Sequence, residues 1–254
     1  MVKPKKSYGQ HFLKEESIAQ RIAQSLTQMD LYQNILEVGP GMGMLTKYLM
    51  EYPEHSLKVV EADTDMVTYL TENYAELTPN IISADFLKVN LHEHFDAPFA
   101  LIGNFPYNIS SQILFKLLDY KEQIPEMVGM FQKEVAERVA AKPKTSAYGI
   151  LSVLLQAFYE TKYLFTVKPG SFNPPPKVMS GVIQLTRKEN FEDLGCNPKL
   201  FKSIVKASFG MRRKMLRNSL KPFIKKNVIL QHDIFKKRPQ DLTVQEFVAI
   251  TNLA

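Results

Sequence analysis

Apolar positions along the chain come in short runs separated by amphipathic stretches. Residues 15–29 (EESIAQRIAQSLTQM) place Ile18, Ile22, Ala23 and Leu26 at helical spacing. Asn34–Val38 is a short apolar run that stops at Gly-Pro-Gly, the pattern of a strand that ends abruptly. Residues 43–52 then read as a helix, 57–61 as a second strand and 65–74 as an amphipathic helix. Residues 80–84 and 99–103 predict a third and a fourth strand. Ser110–Asp119 is helical with Ser110 as its expected N-cap, and 127–131 is a fifth strand. Helices are expected near 133–141 and 148–159. Between 161 and 187 two β-rich runs flank Phe172-Asn173-Pro174-Pro175-Pro176, whose three prolines make a stiff connection. Beyond Arg187 the pattern is helical.

Strands that alternate with helices predict βαβ units, and therefore an α/β fold with a mostly parallel sheet covered on both faces. The last two β-rich runs have no helix between them and are expected to pair antiparallel at one edge. A chain of 254 residues has room for one large and one small domain. The expected division is a sheet domain over 1–187 and a small helical domain over 188–254.

Composition narrows the class. With 45% hydrophobic and 23% charged residues the chain is an ordinary globular protein. The single cysteine, Cys196, excludes an internal disulfide framework and leaves a cysteine-based zinc site short of ligands; no metal is expected. No apolar run approaches the roughly 20 residues that span a bilayer. The basic start (MVKPKKS) has no apolar stretch behind it, so it does not read as a secretory signal. A cytoplasmic protein fits these features. The net charge of +6 is unevenly spread: residues 199–238 hold thirteen Lys/Arg and one acid, so that segment carries +12 and the rest −6. Clustered cations gain from counterion release on a phosphate backbone, which points to a polyanion partner. A membrane surface fits less well, because the segment lacks a large aromatic face.

The candidate chemistry sits at predicted strand ends. Glu37-Val38-Gly39-Pro40-Gly41-Met42-Gly43 has the spacing E-x-G-x-G-x-G, with Met44 where a dinucleotide fingerprint would need its third glycine. Glycines there let the backbone turn sharply and approach a ligand. Glu61 ends the second strand, where an acid can take both hydroxyls of a ribose. Asp85, after the third strand, can accept from an adenine amino group, with Phe86 near the ring. Asn104-Phe105-Pro106-Tyr107 follows the fourth strand. An adenine exocyclic amine is a poor nucleophile because its lone pair is delocalised. The Asn104 carboxamide oxygen and a backbone carbonyl, expected at Phe105, can hold its N–H groups and favour an outward lone pair, while Tyr107 stacks on the base. A sulfonium methyl is already activated, so alignment and electrostatics suffice, provided the base leaves its stack.

These residues, together with Tyr8-Gly9-Gln10-His11-Phe12-Leu13, Asn108-Ile109-Ser110, Gln132-Lys133-Glu134-Val135, Tyr148-Gly149, Phe172-Asn173-Pro174-Pro175-Pro176-Lys177-Val178, Arg212-Arg213-Lys214 and Arg217-Asn218-Ser219-Leu220, resemble the rRNA adenine N6-dimethyltransferases that act on the small ribosomal subunit. The resemblance spans nearly the whole chain. It implies a Rossmann-like class I methyltransferase sheet with an antiparallel edge strand, and S-adenosyl-L-methionine as methyl donor. It implies cofactor contacts at His11, Leu13, Gly39, Glu61, Asp85 and Asn104. The target adenine would be held by Asn104, Phe105, Pro106 and Tyr107, with Phe172 on its other face. Arg212, Arg213, Lys214 and Arg217 would contact phosphates of small-subunit (16S) rRNA in a partly assembled subunit, the enzyme acting as a monomer on two adjacent adenines of the 3′-terminal hairpin loop. His11 stands where many relatives carry asparagine, and Phe105 where leucine or isoleucine is usual. Three readings compete: a large-subunit enzyme of the macrolide-resistance type, an assembly checkpoint with secondary methylation, and a DNA adenine methyltransferase.

Overall fold

The structure, a computed structural model, describes residues 10–254; Tyr8 and Gly9 of the first motif lie outside the described residues. Along the chain run β1 (Phe12–Leu13), α1 (Glu16–Ala23), β2 (Asn34–Val38), α2 (Thr46–Leu49), β3 (Ser56–Glu61), α3 (Thr64–Asn73), β4 (Ile81–Ser83), β5 (Phe99–Asn104), α4 (Ser110–Asp119), β6 (Glu126–Gln132), α5 (Lys133–Val139), α6 (Ile150–Phe158), β7 (Tyr159–Val167), β8 (Phe172–Asn173) and β9 (Ser180–Arg187). They are followed by α7 (Pro198–Gly210), α8 (Leu216–Ser219), α9 (Lys226–Gln231) and α10 (Val244–Thr251). The chain divides into two compact units, Met1–Ala136 with Thr161–Arg187, and Glu137–Glu160 with Lys188–Ala254.

The first unit is built on a seven-stranded sheet of order β4-β3-β2-β5-β6-β9-β7. β2 pairs in parallel with β3 and with β5, β3 with β4, and β5 with β6. β9 runs antiparallel to β6, and β7 lies outside it at the edge. Successive residues of β2, β5 and β6 are buried on both sides, as expected for parallel strands covered on both faces. The strand order reverses between β2 and β5, and such a switch point opens a crevice beyond the carboxyl ends of the strands. Gly103 lets β5 close up against β2: a Cβ there would lie 2.6 Å from the Val38 carbonyl oxygen. A separate two-stranded ribbon joins β1 to β8, pairing Phe12 with Asn173 and Leu13 with Phe172.

Two local differences from the sequence reading have visible causes. The first helix stops at Ala23 rather than near residue 29. The backbone N–H groups of Thr27 and Gln28 donate instead to the Glu126 carboxylate, at 3.0 Å each, so they are unavailable for a helical ladder. Ser110 is the first residue of α4, not its cap; its hydroxyl donates back to the Tyr107 carbonyl at 3.0 Å.

Glu126 is itself fully buried at the start of β6. Besides those two N–H groups it accepts from the Thr27 hydroxyl (3.1 Å), the Tyr32 hydroxyl (2.7 Å) and Gln184 Nε2 on β9 (2.8 Å). A carboxylate with five donors recovers much of what it lost on leaving water. The Tyr32 phenol, buried against it, is held well above its usual pKa.

The second unit takes in Glu137–Glu160, which the expected domain of residues 1–187 had included. The cause is apolar and hydrogen-bonded contact. α6 is buried along nearly its whole length, and Tyr148 meets Phe209 edge-on at 6.2 Å. Lys188 N donates to the Phe158 carbonyl (2.9 Å) and Lys188 Nζ to that of Gln156 (2.6 Å). This unit carries seventeen cations against eight acids, a net +9, which leaves −3 on the first.

Replacing Glu126 by alanine removes the acceptor that five donors share, and leaves Gln184 Nε2 only the Ser25 carbonyl and the Thr27 hydroxyl and the Tyr32 hydroxyl only Met29 Sδ. We expect a loss of about 3 kcal/mol of stability, read as a lowered urea midpoint; a loss below about 1 kcal/mol would show that the cluster does not hold the 24–33 segment to the sheet.

Candidate active site

A cavity of about 770 Å³ lies within the first unit, at the carboxyl ends of β2, β3, β4 and β5. Each strand end contributes a distinct chemical group. At β2, Gly39 adopts φ 68°, a conformation that favours glycine. Its N–H donates to the Val60 carbonyl at 2.9 Å, and a Cβ there would meet nothing within 4 Å. The backbone thus turns away while presenting an open face to the cavity. Beneath the turn, Glu37 lines the cavity and is 1% exposed. It accepts from the Thr46 hydroxyl at 2.6 Å. Burial, reinforced by the nearby Glu61, pushes its carboxyl up to about 8.

At β3, Glu61 is held by backbone donors: Asp63 N at 2.9 Å on one oxygen and Gly41 N at 3.2 Å on the other. Burial raises its pKa, opposed by those N–H groups. The acid therefore links the glycine turn to the start of α3, and each oxygen keeps accepting capacity toward the cavity. After β4, the Asp85 carboxylate accepts from Leu87 N at 3.0 Å and, with Phe86, Leu87 and Lys88, forms the wall.

At β5 the Asn104 amide is oriented by its Nδ2, which donates to the His11 carbonyl at 3.0 Å. The carboxamide oxygen is then the group directed elsewhere. Phe105 lines the cavity, and its side chain is fully buried and stacked on Phe131 at 4.9 Å and 21°. Gly129 makes this large residue possible, since a Cβ there would lie 2.4 Å from the Phe105 ring. Phe105 N donates to the Met130 carbonyl at 3.1 Å, so the residue that carries the expected acceptor carbonyl is tied to β6. Pro106 and Tyr107 also line the cavity. Tyr107 shares a hydrogen bond with Ser180, and burial raises its pKa.

The N-terminal segment crosses this site. His11 stacks on Tyr107 (5.5 Å, 30°), its Nδ1 lies 2.9 Å from the Pro174 carbonyl oxygen, and Leu13 lines the cavity from β1. One face of Tyr107 is therefore occupied by imidazole. Phe172, expected on the other face of the base, is set apart from these groups. It is 1% exposed, belongs to the apolar core and is absent from the cavity wall. Its backbone pairs with Leu13 across the ribbon.

In the second unit, Arg213, Lys214 and Arg217 are exposed. Arg212 differs: its guanidinium donates to the Ser146 carbonyl (2.6 Å) and to Gln240 Oε1 (3.3 Å). It ties the turn after α7 to the 137–160 segment.

Four residues in or beside the cavity have no role in the sequence reading. Glu37 opens the glycine motif, and its place there was the available signal. Tyr74 and Tyr69 line the cavity from α3 and its end; no local pattern marks them. Gln10 Nε2 donates to buried Asp63 at 3.0 Å, a contact between residues 53 apart that only the fold creates. Among the described residues no group of three or more His, Cys, Asp or Glu could hold a metal ion, and no helix is long and apolar enough to cross a membrane.

Comparison with known proteins agrees with this geometry. The chain is 58% identical over 255 residues to ribosomal RNA small subunit methyltransferase A of Bacteroides fragilis, spanning 99% of this chain and 92% of that protein. It is 55% identical to the protein of that name from Flavobacterium johnsoniae, over 98% and 95% of the two. Among solved structures, a dimethyladenosine transferase from Plasmodium falciparum superposes with a TM-score of 0.79 at 25% identity, covering 94% of this chain and 95% of that one. The 23S rRNA methyltransferase ErmE gives 0.69 at 25% identity, over 95% and 99%. The ribosomal RNA adenine dimethylase family matches residues 1–252, and the chain belongs to that family.

Proposed function

We propose that this protein transfers methyl groups from S-adenosyl-L-methionine to the N6 amines of two adjacent adenines in the 3′-terminal hairpin loop of small-subunit rRNA, acting as a monomer on a partly assembled subunit in the cytoplasm. The observation that carries this reading is the convergence of Gly39, Glu61, Asp85 and Asn104 on one cavity wall. The relatives above favour the small over the large subunit, since those sharing 55–58% identity bear the small-subunit name.

The residues present fit such a cofactor. Gly39 opens backbone space for its methionine end, with His11 and Leu13 closing from the N-terminal side. Glu61 offers an acceptor to the ribose and Asp85 one to the adenine amine. Bound there, the cofactor supplies an electrophilic methyl on a sulfonium. The protein's own work is alignment. Asn104 Oδ1 and the Phe105 carbonyl accept the two N–H groups of the target amine. Pro106 stiffens the turn from Phe105 to Tyr107, and Tyr107 offers the ring face opposite His11. The proton released from the methylated amine passes to water, so no strong base is required. In the second unit Arg213, Lys214 and Arg217 contact rRNA phosphates, with Arg212 anchoring their turn.

The test is transfer of labelled methyl to purified unmethylated small and large subunits, followed by digestion to nucleosides. Dimethyladenosine from the small subunit alone is expected; label on the large subunit would favour the resistance-type activity, and none on either would favour an assembly factor. In the same assay Asn104→Ala should lower turnover by about 10²–10³-fold with subunit binding retained; activity within a few-fold of wild type would remove Asn104 from the chemistry.

Glu37 gives a pH dependence. Its carboxyl, raised to about 8, is protonated at neutral pH and must lose that proton to balance a cationic cofactor. Affinity for S-adenosylmethionine should therefore rise between about pH 6 and 8, by up to about tenfold per unit, and more steeply than affinity for uncharged-sulfur S-adenosylhomocysteine. Glu37→Gln should flatten the rise; an unchanged profile would show that the proton is not linked to binding. For the basic face, Arg213→Glu with Lys214→Glu should lower the slope of log affinity against log salt by about two on the small subunit. An unchanged slope would move the phosphate contacts elsewhere.

A further inference from the structure

Lys116 on α4 is a buried cation outside the cavity wall, and none of the chemistry above uses it. The residue is 9% exposed. Its ammonium donates to the Phe86 carbonyl at 2.6 Å and to the Val89 carbonyl. It also lies over the Phe86 ring at 4.9 Å and near the Tyr120 ring at 5.6 Å. These acceptors all belong to, or flank, the segment that bears Asp85. Within that segment Lys88 N and Val89 N donate back to the Asp85 carbonyl (2.9 and 3.2 Å), and Leu87 N to its carboxylate (3.0 Å). The segment is thus a single helix-like turn. The carbonyls at the end of such a turn lack partners of their own, and here the ammonium caps two of them. Tyr120, one turn beyond Lys116, reinforces the join: its hydroxyl donates to Asn90 Oδ1 at 3.2 Å and accepts from Leu91 N at 3.3 Å.

Holding an ammonium in so buried a place is costly, and burial lowers the pKa of Lys116, opposed by the charges of Asp85 and Asp119. A methionine would fill the same space. The cation is retained where two main-chain carbonyls take its protons and where the charges of Asp85 and Asp119 favour it. α4 also begins directly after Tyr107-Asn108-Ile109. Its side chain therefore connects the motif at the end of β5 to the turn after β4.

We propose that Lys116 is a positioning residue for cofactor adenine recognition: by capping the turn of residues 85–89 it fixes the Asp85 carboxylate at the cavity wall. This rests on the reading of Asp85 as the acceptor for the adenine amine. An ordinary structural lysine would change stability without changing which purine the site prefers. A positioning lysine changes the preference.

The experiment compares inhibition by S-adenosylhomocysteine with that by S-inosylhomocysteine, which replaces the purine amine by an oxo group that repels a carboxylate. Wild type is expected to prefer the adenosyl compound by at least about tenfold. Lys116→Met should bring that preference to within about threefold of unity, raise KM for S-adenosylmethionine, and leave kcat and the KM for the small subunit near wild type. Lys116→Arg, which keeps the cation and its donors, should retain most of the preference. Should Lys116→Met not fold, Lys116→Gln carries the same comparison. A Lys116→Met enzyme that melts earlier but keeps the wild-type preference would overturn the proposal. A wild-type preference near unity would instead remove adenine recognition from Asp85, and this proposal with it.

Discussion

The site depends on how closely β5 can lie against β2. These strands are parallel neighbours whose chains depart to opposite sides of the sheet, and Gly103 brings the end of β5 to the Val38 carbonyl. Any side chain at position 103 would force them apart at the level where Gly39 turns and Asn104 begins. The same closeness places the Gly39 turn beside the Asn104-Phe105-Pro106-Tyr107 motif, the pair proposed to receive cofactor and base. Gly129, on the other side of β5, makes a matching concession by admitting the Phe105 ring. Two absent side chains thus set the spacing of the reaction centre, and the Phe105–Phe131 stack fills the space they leave.

Three buried glutamates show how surroundings separate scaffold from chemistry. Glu126 is surrounded by five donors and fastens a loop to the sheet. Glu61 is met by main-chain N–H groups and keeps accepting capacity toward the cavity. Glu37 has the Thr46 hydroxyl beside it, and its carboxyl is raised accordingly. Burial alone does not distinguish them; the supply of donors does. A carboxyl left short of donors at a cavity wall suits a task that begins when a positive charge arrives.

Much of this was legible in the sequence because parallel strands and their carboxyl-end motifs are local signals. The five strands from residue 34 to 132 follow from apolar runs bounded by Gly, Pro, Asn and Asp. Gly39, Glu61, Asp85 and Asn104 were located by their distance from those ends. What escaped depends on partners distant in the chain. Phe172 stands in a stiff proline-rich connection, and its burial in the apolar core depends on residues far away in the chain. Arg212 reads like its neighbours until the Ser146 carbonyl is seen to hold it. Residues 137–160 look like one more crossover, yet Tyr148 and α6 pack with the later helices. Lys116 sits at an unremarkable helical position, and its acceptors lie 27 and 30 residues away.

The ribbon of β1 and β8 is two residues long on each side. Around it, Gln10 is held to Asp63, His11 to Asn104, the Pro174 carbonyl and the Tyr107 ring, and Lys14 to the Ser171 carbonyl. A ladder of two residues has fewer bonds to break than the seven-stranded sheet and opens at lower free energy, although Leu13 and Phe172 add buried apolar surface to it. Access and architecture therefore run on separate clocks: the cover can part and re-form many times during the lifetime of a fold that does not move. An enzyme that spends two donor molecules on each base needs that separation. Spent cofactor can be exchanged at the rate of a local opening, while the spacing of β2 and β5 stays set throughout.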